Sequence, residues 1–320
     1  MPVSAQLTAW AGERNELVHH GSSVPPSARY QMAASGESLL APGSDERLRV
    51  IVDGDLATAS QVVVLVPGVD TKPETFDLPL PPEADLADAA AEAGSTAEVS
   101  GVADAVSVDG VDSARDLGGV GPSESVGDLE EEPIAWWRTM PGWARAIRQA
   151  AQPQAEDLAV VAWLGYVSPI GVNGANPEAM RQGAANLVAF DRFLRAARPN
   201  ADTTWICHSY GSLVCASALP DADPGALILV GSPGVGARSV SELATDAPIW
   251  AGQTGEDLIG LTRLTAVLGG SFGPTPVSPK FGAQELPCDA DGGHSDYFRP
   301  GSSQVKAMAQ IATRHLGPPI

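Results

Sequence analysis

Apolar residues along this chain fall into short runs separated by polar, glycine- and proline-bearing turns, and the runs follow two periods. Leu48-Arg49-Val50-Ile51-Val52, with polar Arg49 between apolar neighbours, is read as an alternating run, whereas Gln61-Val62-Val63-Val64-Leu65-Val66 is nearly unbroken. Alternation marks a strand with one face in water; a continuous β-branched run marks a strand covered on both faces. Asp53-Gly54-Asp55 between the two is a turn. Asp157 to Leu164, Thr204 to Cys207 and Ala226 to Val230 predict further buried strands, and Pro248 to Gly252 a short one. Helical spacing intervenes: Trp143, Ala146 and Ile147 lead to Ala151, and Met180, Ala184, Leu187, Val188, Phe190 and Leu194 form an apolar stripe over residues 178–197. A last amphipathic stretch carries Met308, Ile311 and Ala312. Strands alternating with helices predict an α/β fold, a mostly parallel central sheet with helices on both faces. Residues 1–46 read as an N-terminal helical segment packing on that core, with a helix near Trp10 and Leu17 and another after Pro25-Pro26 carrying Tyr30, Met32 and Leu39-Leu40. Residues 47–320 then form the main domain.

One stretch breaks the pattern. Residues 83–132 hold fourteen acidic residues against the single Arg115, a net of −13, and carry no aromatic residue. So little apolar surface cannot offset the entropy of ordering fifty residues, which predicts a disordered acidic insertion. The sharper alternative is a lid over the site or a tether for a protein partner.

The remaining composition narrows the function. The formal net charge is −20, which disfavours nucleic acid and anionic membrane surfaces, since phosphates need clustered Lys and Arg. Small molecules are the better partners. No run approaches the roughly 18 apolar residues of a membrane span. Cys207, Cys215 and Cys288 are odd in number and lack C-x-x-C spacing, so neither a disulfide framework nor a zinc site is expected. With no leader-like N-terminus, these features predict a cytoplasmic protein. Gly231-Ser232-Pro233-Gly234-Val235-Gly236 does not match a dinucleotide fingerprint, and no metal or organic cofactor is expected.

The chemistry concentrates at Cys207-His208-Ser209-Tyr210-Gly211. A β-rich run stops at a serine among small residues and resumes as a helix pattern, which is a strand, a sharp turn and a helix with Ser209 at the apex. Such an elbow exposes a hydroxyl and points the following N–H groups at developing negative charge. A plain N-cap serine is the alternative. A serine nucleophile needs a base, most often histidine, and that histidine needs a carboxylate. His19 and His20 precede the sheet, His208 is expected to be packed, and His315 lies near a helix end. His294, in the glycine-bearing loop Asp291-Gly292-Gly293-His294, is the candidate base, 85 residues after Ser209. The acid is expected between them at a strand end. Asp257, just past the Gly252 strand in Gly255-Glu256-Asp257, is the choice and Glu256 the close competitor; Asp246, Asp289 and Asp291 stand further back. The backbone N–H groups of Tyr210 and Val69 are the expected oxyanion hole, with Gly68 letting the Pro67-Gly68-Val69 loop come close.

These motifs in this order resemble the α/β-hydrolase superfamily, and more narrowly the actinobacterial group called domain of unknown function 1023, over roughly residues 39–316. Cys207 departs from the glycine usual at that elbow position. The resemblance implies a central, mainly parallel sheet and a Ser209, Asp257, His294 triad, and it supplies a reaction class but no substrate. Taken with the residues, the leading expectation is a serine hydrolase acting on a small acyl ester without cofactor. An acyltransferase differs only in the acceptor. The competing class is a binding or regulatory protein on the same fold.

Overall fold

The computed structural model describes residues 30–41, 44–76, 138–171, 177–257 and 272–313. Among these, seven strands form one sheet: β1 (Arg49–Asp53), β2 (Gln61–Val66), β3 (Leu158–Leu164), β4 (Asp202–His208), β5 (Ala226–Val230), β6 (Ile249–Gly252) and β7 (Gln284–Glu285). Their order across the sheet is β1-β3-β2-β4-β5-β6-β7. β1 runs antiparallel to β3, and every other pairing is parallel. Four helices pack on it: α1 (Met140–Ala150), α2 (Pro177–Ala197), α3 (Gly211–Ala218) and α4 (Ser303–Ala312).

The strand burial repeats what the sequence pattern demands. β1, at the sheet edge, alternates half-buried and buried residues, while all seven residues of β3 are buried. Successive side chains of β2 serve opposite faces. Val62, Val64 and Val66 join α2 and α3 in one core, and Val63 and Leu65 join α1 and α4 in the other. Helix starts are chemically marked. Thr139 caps α1 by accepting from the Gly142 N–H, and Ser302 caps α4 by accepting from Val305.

Register decides where function can sit. Val66 pairs with Cys207, His208 with Val230, and Val230 with Gly252. The carboxyl ends of β2, β4, β5 and β6 therefore finish at one edge, and the segments that follow them converge there.

One expectation is corrected. Residues 30–41 do not continue a helix: Tyr30 bridges Leu40, Ser38 bridges Ile51, and Gly36 turns the chain at a φ of 82°. A helix would scatter Tyr30 and Leu39 to different sides of the segment; the turn folds both into the core beside β1, where Leu39 is fully buried. Residues 1–29 and the insertion 83–132 lie outside the described residues.

Candidate active site

Ser209 sits immediately after β4 at a φ of 54°, in the left-handed region that side chains rarely adopt. Such a conformation costs on the order of 1–3 kcal/mol and persists only where the surroundings over-determine it. Here they do. The Ser209 N–H donates to the Val230 carbonyl at 3.0 Å, tying the turn to β5. Gly211 sits so close to β2 that a Cβ on it would meet the Pro67 and Val66 oxygens at 2.4 and 2.5 Å. The reading of this motif as a strand, tight turn and helix is thus matched in the backbone.

Cys207 and Cys215 form a disulfide, where no disulfide framework was expected. Eight residues apart, they lie on β4 and α3 with Cα atoms 6.5 Å apart. The spacing that looked irregular in sequence becomes a strand-to-helix contact because the elbow folds the chain back on itself. Cys288 is free, and burial pushes its thiol up to about 12.

His294 Nε2 lies 2.8 Å from Ser209 Oγ, and its Nδ1 lies 2.9 Å from Asp257 Oδ2. An ionised carboxylate can only accept, so Nδ1 carries the hydrogen and Nε2 is left to receive the serine proton. Asp257 is 3% exposed and Ser209 2%, while about a third of the His294 side chain, 32%, reaches solvent. Glu256 is exposed, Asp246 is exposed, and Asp289 and Asp291 both pair with Arg299. Of the acids considered, Asp257 is the one brought to the histidine.

Other residues hold this arrangement that sequence reasoning did not assign. Gly231, at a φ of 56°, ends β5 beneath the site; a Cβ there would come within 3.1 Å of Tyr297, Asp257 and His294 alike. His208 is packed as expected, edge-on to Trp143 with centroids 5.3 Å apart, but it also donates from Nε2 to the His294 carbonyl at 2.8 Å. Burial, reinforced by the neighbouring His294, lowers His208 to about 3 and keeps it neutral. The Tyr297 hydroxyl donates to Asp257 Oδ2 at 2.6 Å. Asp296 accepts from the Gly293 N–H and from Arg138, pinning the histidine loop at its turn. A signal for the tyrosine existed in its place three residues after His294, but a loop has no fixed period from which to project a contact.

The Pro67-Gly68-Val69 loop lies against the elbow: a Cβ on Gly68 would stand 3.3 Å from the Tyr210 nitrogen. The segment after β3 supports it. Tyr166 donates to the Pro67 carbonyl at 2.7 Å, Ser168 to the Gly68 carbonyl at 2.8 Å, and Asp70, at a φ of 61°, bonds Pro169 and Gly171. Trp143 stacks on Phe298 at 4.1 Å as part of the core, and Trp136 and Trp137 lie outside the described residues. No group of metal-ligating side chains occurs among the described residues, nor does a helix long and apolar enough to cross a membrane.

Residues 88–267 match the family described as Alpha/beta hydrolase. The chain belongs to that family. The matched region includes Ser209 and Asp257 and stops short of His294. Uncharacterised proteins of Mycobacterium tuberculosis and Mycobacterium bovis are 34% identical over 158 residues, covering 44% of this chain and 56% of each relative. The chain thus spans little more than half the length of those curated relatives. Among solved structures, an α/β serine hydrolase without a lid from Xanthomonas campestris is 16% identical with a TM-score of 0.40, covering 85% of this chain and 91% of its own. An α/β serine hydrolase homologue from Coxiella burnetii is 11% identical with a TM-score of 0.40, covering 90% of this chain and all (100%) of its own. The seven-stranded, mostly parallel sheet with helices on both faces is the α/β-hydrolase fold.

Proposed function

We propose that the protein is a serine hydrolase that cleaves carboxylic esters through an acyl-enzyme. The observation that carries this reading is the relay Ser209 Oγ to His294 Nε2 at 2.8 Å and His294 Nδ1 to Asp257 at 2.9 Å, on a serine held in a left-handed turn. Ser209 attacks the carbonyl carbon while His294 takes its proton; Asp257 fixes the tautomer and supports the positive charge. The tetrahedral oxyanion is received by the Tyr210 and Val69 N–H groups, at the N-terminus of α3. His294 returns its proton to the departing alcohol, and water repeats the sequence to release the acid. No step requires a metal or an organic cofactor. A small neutral acyl ester suits the acidic chain. Transfer to an acceptor other than water uses the same relay.

The glycine-bearing segment from Gly231 to Gly236, together with the elbow, supports placing the chain in the group called domain of unknown function 1023. The reading as a binding protein drew on residues 83–132, which lie outside the described residues. The disulfide withdraws the cysteine argument for a cytoplasmic location.

A fluorophosphonate probe tests the proposal. The wild type is expected to label at one serine, and Ser209→Ala and His294→Ala to lose labelling while keeping the wild-type circular dichroism. A folded wild type that neither labels nor hydrolyses p-nitrophenyl esters of short and long acids would overturn it.

A further inference from the structure

Two donors compete for one oxygen of the triad carboxylate. Asp257 Oδ2 receives the His294 Nδ1–H at 2.9 Å and the Tyr297 hydroxyl at 2.6 Å. The tyrosine ring is fully buried, and its oxygen in turn accepts the Thr254 N–H at 3.2 Å, which leaves the hydroxyl hydrogen directed at the carboxylate. Gly231 closes the far side, where a Cβ would stand 2.8 Å from the Tyr297 ring and 3.0 Å from Asp257 Oδ2. Burial first, and the hydrogen bond to Asp257 second, push the phenol well above its ordinary range, so it stays a donor wherever the protein is folded.

We propose that Tyr297 is a positioning residue of the triad: its hydroxyl draws on the oxygen that holds His294 and thereby sets how strongly Asp257 supports the imidazolium formed during the reaction. The inference rests on the serine-hydrolase reading above. A hydrogen bond to a carboxylate spreads its charge and weakens its grip on a second donor. With the hydroxyl present, the carboxylate supports the imidazolium less than it would alone. The other groups around the pair do not supply this effect. His208, from the end of β4, is neutral. Glu256 points to solvent, and Asp296 is engaged by Arg138 and the Gly293 N–H.

The rate of fluorophosphonate labelling against pH reads this directly, without knowledge of the natural substrate. Tyr297→Phe is expected to move the acid limb of the profile up by roughly half a pH unit or more. Site-specific replacement of Tyr297 by 3-fluorotyrosine, a stronger donor of nearly the same shape, is expected to move it down. A role confined to packing moves neither limb. Limbs that coincide with wild type, or that both shift the same way, would overturn the proposal while leaving the serine nucleophile standing. Should Tyr297→Phe not fold, the fluorotyrosine protein decides by itself: a limb left in place or moved up refutes the proposal. A folded wild type unlabelled at every pH would remove both readings together.

Discussion

Gly68 lies directly against Ser209: a methyl group on its backbone would stand 2.6 Å from the Ser209 Cβ and 3.0 Å from the Oγ. The loop after β2 and the elbow after β4 thus fit together only while position 68 has no side chain. Gly68→Ala must push Ser209 or the loop by several tenths of an ångström. Because misplacement by about 1 Å can cost on the order of 100-fold in rate, labelling by fluorophosphonate should fall roughly 10- to 100-fold. Thermal unfolding should show a loss of about 1–3 kcal/mol from overpacking. Unchanged labelling would mean that the loop is not held where it is seen.

The two neighbouring acids separate cleanly by burial. On the proposed function, Asp257→Asn retains the shape but presents an amide to the histidine and favours the wrong tautomer, so turnover of a test ester should drop by about 10³- to 10⁴-fold. Glu256→Gln, at an exposed position, should stay within about twofold, since surface changes away from a site seldom matter. Kinetics with a p-nitrophenyl ester distinguish them, and equal losses would reopen the choice of acid.

His208 makes stability depend on pH. Its folded value is depressed to about 3 from an ordinary 6.5, so the unfolded chain binds a proton that the folded protein refuses. The contribution of a neutral His208 is therefore complete above about 6.5 and is lost as pH falls towards 3, at up to roughly 1.4 kcal/mol per pH unit. His208→Gln does not titrate. Urea unfolding between pH 6.5 and 4 should show a steeper loss for wild type than for the variant; parallel curves would refute a buried neutral histidine.

Thiol counting tests the elbow disulfide. In denaturant without reductant, one thiol per chain should react, that of Cys288, and three after reduction. Replacing both Cys207 and Cys215 by alanine should cost about 2–3 kcal/mol on the loop-closure argument for so short a ring. Both sulfurs are fully buried, so a reductant should leave the native protein's labelling unchanged over minutes. Three reactive thiols without reductant would remove the bond.

Local chemistry made much of this legible beforehand. The continuous apolar runs of β2, β3 and β5 could only be strands covered on both faces. The small residues around Ser209 named the turn, and the Ser, acid, His order left His294 as the histidine free to reach the serine. Residues 30–41 misled because Pro25-Pro26 followed by apolar residues reads as a helix start, whereas a helix would set Tyr30 and Leu39 on opposite sides and the turn at Gly36 brings both into one core.

What the sequence determined by itself was the period of each segment, because alternation and 3.6-residue spacing are written in neighbouring residues. It also determined which side chains could do acid, base and nucleophilic work. Only the tertiary structure decided which of them meet. Asp257 rather than Glu256 reaches His294 because the register of β5 with β6 brings Gly231 and Gly252 to one edge and turns one carboxylate inward. Tyr297 finds Asp257 across forty residues, and Cys207 finds Cys215 across the fold of the elbow. Such contacts depend on how separate elements pack, and no pattern confined to a single segment encodes the distance between two of them.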